Sequence, residues 1–191
     1  MKLEDVIIEI KITRSTLFFI LGLIIREVFS FWTGHPWDFE VWVRVGWYVA
    51  RGVNPYIYLS YINNVSFSPY PIMPSIGYPP FIAFVSAISY IISYNVCSIT
   101  LRRYFYYFLI KQSMILGDLS VGLLLYKILK ELGAQEDYAL YAIEFWLLNP
   151  FTIIISSIWG MFDSLVILSL LSAFYYLAKG RKILASILLG L

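Results

Sequence analysis

Four stretches of this chain come close to the length that a lipid bilayer demands of a helix. They are residues 15–32, 104–126, 138–159 and 162–178, and a fifth apolar run begins at residue 183. A membrane-crossing helix needs about 20 mostly apolar residues. Hydrophobic residues make up 60% of the chain and charged residues 14%. A water-soluble domain runs at roughly 45–50% apolar and about 25% charged, so it has no interior large enough for this surplus. The expectation is an all-α, polytopic transmembrane protein. Disorder is excluded by the same balance. A net charge of +2 gives no reason to expect nucleic acid as a partner. The single cysteine, Cys97, excludes a disulfide framework, and the single histidine, His35, excludes a multi-histidine metal site. The N-terminal 14 residues alternate charged and β-branched residues, and no small-residue cleavage site follows the first apolar run, so the first span is expected to stay as an anchor.

Lysine and arginine on short connections set orientation. Residues 81–96 are uncharged but short, and two topologies follow from whether they span. If they do not, Lys2, Lys11 and Arg14 share the cytoplasmic side with Lys127, Lys130, Lys179, Arg181 and Lys182. That topology agrees better with the positive-inside rule and puts the N-terminus in the cytoplasm. Residues 33–103 then form one long extracytoplasmic loop region. Within it an amphipathic stretch reaches Arg51 and stops at Gly52 and Asn54-Pro55, and a Pro-rich loop occupies 69–80. Asn64-Val65-Ser66 is a glycosylation sequon of a kind common by chance. Trp37, Trp42, Trp47 and Tyr48 are expected to embed in the membrane interface, with stacking on sugar as the rarer use.

Ionisable groups inside spans are expensive and normally face a cavity or a partner. Lys111 and Asp118 are seven residues apart, on one helical face and about 10 Å apart along the axis. They are expected to line a site; the bland alternative is a snorkelling lysine and an aspartate bonded to a neighbouring helix. Arg26 and Glu27 read equally well as an interfacial ion pair, and Glu144 as a buried structural partner or protonated acid. Asp38 and Glu40 follow the first span, and Asp163 stands in the turn between the third and fourth, so all three carboxylates are expected at one membrane face. Carboxylates supply a general base or hold a cation, and a lysine or arginine binds phosphate. Group transfer from a phosphate donor to a hydroxyl needs both.

The order and spacing of four segments resemble the polyprenyl-phosphate-sugar-dependent glycosyltransferases of the C-type membrane fold, above all the catalytic subunit of GPI mannosyltransferase I and its prokaryotic relatives. The segments are Trp37-Asp38-Phe39-Glu40 with Ala50-Arg51-Gly52-Val53-Asn54-Pro55-Tyr56; Tyr78-Pro79-Pro80; residues 111–126; and Phe145-Trp146-Leu147-Leu148-Asn149-Pro150 with Ser156-Ser157, Gly160 and Asp163-Ser164. The resemblance implies a multi-pass enzyme of the cell membrane or endoplasmic reticulum. Its partners would be a dolichyl- or polyprenyl-phosphate sugar and membrane lipids. It would transfer a hexose, with mannose expected, to an acceptor hydroxyl on the outer or lumenal face, with inversion.

Asp38 matches the family's general base, and Glu40 stands where the family has a second aspartate. Lys111, Asp118, Asp163 and Arg51 are the expected donor-phosphate or sugar-binding residues, with Arg26 and Arg44 as further candidates for phosphate contacts. The resemblance fixes no cofactor; a divalent cation at the acidic pair is left open. The resemblance further implies that residues 1–191 are a single membrane domain corresponding to the N-terminal part of a longer enzyme, completed by a C-terminal half or a partner subunit. A non-catalytic membrane subunit or truncated remnant is the alternative. A small transporter or channel is a third reading, disfavoured by the few spans and the absence of a repeat.

Overall fold

The computed structural model describes residues 14–58 and 78–190, with the side chains of Ile57 and Tyr58 excepted. The expected features in residues 1–13 and at the sequon, and all of the Pro-rich loop up to residue 77, lie outside the described residues.

The described residues are all-helical, with no strand among them. The helices are α1 (Arg14–Ser30), α2 (Pro36–Val49), α3 (Pro55–Tyr58), α4 (Pro80–Val96), α5 (Arg102–Glu131), α6 (Glu136–Leu148), α7 (Pro150–Ile153), α8 (Asp163–Ala178) and α9 (Lys182–Leu189). A π-helical turn, Ile154–Trp159, continues α7. Proline marks four of the starts. Pro36, Pro55, Pro80 and Pro150 are the first residues of their helices, where the missing N–H would be unbonded in any case.

The axis of the molecule is α5. Its 30 residues extend about 45 Å at 1.5 Å per residue. Its N-terminal part packs against α4 and α2 through Tyr106, Tyr107, Ile110 and Met114. Its C-terminal part packs against α1 and α6 through Ile115 and Leu119, with Ile143 and Leu147 from α6. The helix α8 lies along α5, and α9 folds back on α8. Two cores therefore share one helix. The first is rich in aromatic residues, with Phe39, Trp42 and Phe162 inside it; the second is mainly aliphatic.

By length and composition, α5 is the one described helix long and apolar enough to cross a membrane. The third expected span is not a continuous helix. It breaks at Asn149-Pro150, and its two halves, bent by 43°, qualify together as a second. The cause is local. Pro150 lacks an N–H, and the Phe151 N–H bonds the Asn149 side chain at 2.9 Å, so the carbonyl of Leu147 loses its helical partner. Arg26 supplies one at 2.7 Å. The first and fourth expected spans are helices of 17 and 16 residues, short of the usual crossing length. Among its described residues the expected loop region 33–103 holds α2, α3 and α4; α2 and α4 pack on each other, α4 packs on α5, and Phe39 of α2 meets Tyr107 of α5. Close contact between α2 and α4 depends on Gly46: a Cβ there would collide with the Ser86 carbonyl.

Large apolar side chains lie on the surface as well as in the core, and a few charged ones lie inside. Leu17, Ile24, Phe84, Phe145, Val166 and Phe174 are all more than half exposed, while Arg26 and Lys111 are fully buried and Asp118 nearly so.

Candidate functional site

Asp38 sits in the first turn of α2, where the helix dipole favours a carboxylate. Its Oδ2 accepts from the Trp159 indole Nε1–H at 2.7 Å and lies 2.9 Å from His35 Nδ1. The His35 and Trp159 rings stack, with centroids 5.0 Å apart. The His35 amide donates to the Trp159 carbonyl at 3.0 Å. Among the described residues none hydrogen-bonds Oδ1, so the contacts fall on one carboxylate oxygen.

Trp159 reaches Asp38 because it ends the π-helical turn. Gly160 then takes φ +89 and brings the chain against α2. A Cβ on Gly160 would stand 2.5 Å from the Phe39 ring, so this approach excludes any larger residue. Asp163, exposed in the first turn of α8, follows directly. Asp38 and Asp163 both lie near enough to Tyr78 for their charges to act on its phenol. Burial raises the Tyr78 phenol above its ordinary range, and the negative charges of Asp38 and Asp163 raise it further. The Tyr78 ring packs on Trp42 at 4.4 Å, and Trp42 on Phe162 at 4.9 Å. Two helix starts thus direct an aspartate each toward one aromatic floor.

The other expected site residues go elsewhere. Glu40 is two residues from Asp38, about 200° around the helix. It is buried and pairs with Arg44 at 2.8 Å, so the expected acidic pair is divided between two faces. Among the described residues no three His, Cys, Asp or Glu side chains form a metal-binding group, and the divided pair does not fit a chelated cation.

Asp118 belongs to a buried ion pair with Arg26 at 2.9 Å. Arg26 also donates to the Gly22 and Leu147 carbonyls and to Thr152 Oγ1. Glu27 does not pair with Arg26; its Oε2 accepts from Ser30 and Gln112 instead. Glu144 is a partly exposed partner of Arg14 at 3.3 Å, not a buried acid. Arg51 lies 13 residues beyond Asp38, about 20 Å along α2, with its guanidinium over the Trp47 ring at 4.1 Å. Lys111 is fully buried. Its Nζ donates to the Thr33 carbonyl at 2.6 Å, to Thr33 Oγ1 at 3.0 Å and to the Ser157 carbonyl at 2.6 Å. An ammonium has three donors, so none remains for a phosphate in this arrangement. Trp42 and Tyr48, expected at the membrane interface, are core residues.

Sequence reasoning brought Asp38 and Asp163 to one end of the molecule but missed His35, Trp159 and Tyr78 as their companions. One signal was available for His35: Pro36 starts a helix, which makes His35 its cap and puts Asp38 three residues on. Nothing local points Trp159 at Asp38, 121 residues away. Comparison with protein-family models, with curated proteins and with solved structures finds no match to this chain.

Proposed function

We propose that this chain is a multi-pass membrane glycosyltransferase, or the Asp38-bearing part of one. It transfers a hexose, with mannose as the first candidate, from a dolichyl- or polyprenyl-phosphate donor to an acceptor hydroxyl. The observation that carries the reading is the setting of Asp38: one carboxylate oxygen accepts from the Trp159 indole and lies 2.9 Å from His35 Nδ1, and no described residue hydrogen-bonds the other. A general base must be oriented and must keep an oxygen within reach of the hydroxyl. In the proposed reaction Oδ1 takes the hydroxyl proton while the acceptor oxygen bonds the anomeric carbon. The bond from that carbon to the phosphate oxygen breaks on the opposite face, and the lipid phosphate leaves with the electron pair. Trp159, 41% exposed, offers a face on which a sugar ring can stack.

The membrane assignment is supported by the many exposed large apolar side chains and the few buried charges. Isolated charges within hydrocarbon are driven to the bundle interior, where they find partners. Arg26 with Asp118 fits this pattern. In the proposed topology the N-terminus is cytoplasmic and Asp38 lies near the outer or lumenal surface, so a lipid-linked donor keeps its tail in the bilayer.

The deciding experiment is transfer from labelled dolichyl-phosphate mannose in membranes containing the full chain. Asp38→Asn is expected to lower transfer by about 10²–10⁴-fold, the usual contribution of a general base, with insertion unchanged. Wild-type activity in Asp38→Asn would sink the assignment. A second reading, a non-catalytic subunit of such an enzyme, is favoured by one observation: the two cations expected at the donor phosphate are engaged elsewhere or remote. Transfer that appears only with a partner protein and survives Asp38→Asn would select it.

A further inference from the structure

The three bonds of the Lys111 ammonium connect two segments that are 124 residues apart in the chain. The Thr33 carbonyl belongs to the connection between α1 and α2, and the Ser157 carbonyl to the π-helical turn. Thr33 Oγ1, itself a partner of Lys111, lies 2.9 Å from the same Ser157 carbonyl. The Phe39 ring closes the cage, with its centroid 5.4 Å from Nζ, and it can do so because Gly160 has no side chain.

The register of this clamp matters. Thr33 is two residues before His35, and Ser157 is two residues before Trp159. These are the two side chains that hold Asp38 Oδ2. The His35 amide bond to the Trp159 carbonyl closes the same loop on its other side.

We propose that Lys111 is a positioning residue for Asp38: by drawing the Thr33 and Ser157 carbonyls onto one ammonium, it brings His35 and Trp159 onto a single carboxylate oxygen and leaves Oδ1 for the reacting hydroxyl. The clamp itself is a statement about geometry, while its catalytic consequence rests on the transferase reading. A buried lysine suits the task. Ser157 lies in the last turn of its helical segment, where carbonyls have no intrahelical partner, and one ammonium offers three donors that adapt to carbonyls arriving from different directions. A lysine that bound the donor phosphate would instead keep donors free and face the ligand.

The test uses the full chain in detergent, labelled with 5-fluorotryptophan, and the Trp159 resonance is assigned by its loss in Trp159→Phe. Lys111→Met is expected to move that resonance by more than its linewidth, and Thr33→Val to move it in the same direction by less. An unmoved Trp159 resonance in both variants would overturn the clamp. If Lys111→Met does not accumulate, Lys111→Gln takes its place, because Thr33→Val removes the direct Thr33–Ser157 bond together with one partner of the lysine.

In membranes supplied with dolichyl-phosphate mannose, Lys111→Met is expected to lower kcat about 10²-fold, the cost of misplacing a reacting group by about an ångström, with the donor KM within about twofold. A raised donor KM at unchanged kcat would identify Lys111 as a phosphate ligand and overturn the proposal. If the wild-type chain transfers no sugar under any condition, the transferase reading fails and the resonance alone decides the clamp.

Discussion

Glu40 and Arg44 pair along one turn of α2 at 2.8 Å, whereas Arg26 reaches Asp118 across 92 residues of chain at 2.9 Å. Both pairs are buried, one in each of the two cores that share α5. The α2 pair forms as soon as its helix forms, because residues four apart face each other. The α1–α5 pair forms only after three elements have docked, since Arg26 also satisfies a carbonyl at the end of α6 and a hydroxyl in α7. A local pair neutralises charge before burial. A long-range pair commits separate helices to one arrangement, and removing one partner leaves the other charged and buried.

The largest expected effect follows from that difference. Asp118→Leu strands the Arg26 guanidinium and is expected to cost about 3–5 kcal/mol, measured as a lowered unfolding midpoint in detergent, with much of the loss recovered in the double variant Arg26→Met/Asp118→Leu. A loss no larger than that from an exposed-site substitution would remove the contrast between the two cores. Gly46→Ala tests the other core. Its Cβ meets a backbone carbonyl of α4, which cannot turn aside, and overpacking of this kind costs about 1–3 kcal/mol. Hydrogen exchange is expected to quicken in α2 and α4 and to stay unchanged in α1 and α6. A uniform change would mean the two cores open as one.

Smaller effects probe the junction where the cores meet. Trp159→Phe keeps the stack on His35 but removes one donor from Asp38. It is expected to slow transfer about tenfold, equivalent to about 1.4 kcal/mol on the barrier. Unchanged rates would leave His35 as the sole orienting group. Arg51→Ala is expected to change stability by no more than about 0.5 kcal/mol, and to leave donor KM and kcat as in wild type, because α2 carries Arg51 away from Asp38. A raised donor KM would restore Arg51 to the site.

Much of the helical framework is legible along the chain. Proline at the first position and glycine past the last mark helix ends through φ and the missing N–H, and both act within a few residues. The split of Asp38 from Glu40 was equally open to reading, since any helix beginning at Pro36 turns residues two apart to opposite faces. The break in the third expected span was legible in the same way. A count of apolar residues across Asn149-Pro150 misses that a proline there divides the run.

Residue pattern and proline chemistry by themselves determined an all-helical chain with apolar exteriors, the helix starts that carry Asp38 and Asp163, and the Glu40–Arg44 pair. Only the tertiary structure decided that Asp118 belongs to Arg26, that Lys111 serves two carbonyls, and that Trp159 orients Asp38. The physical reason is desolvation. A buried charge or an orphaned carbonyl must be satisfied by whatever group packing brings within about 3 Å, and that choice depends on which helices dock, not on the residues nearby in the chain.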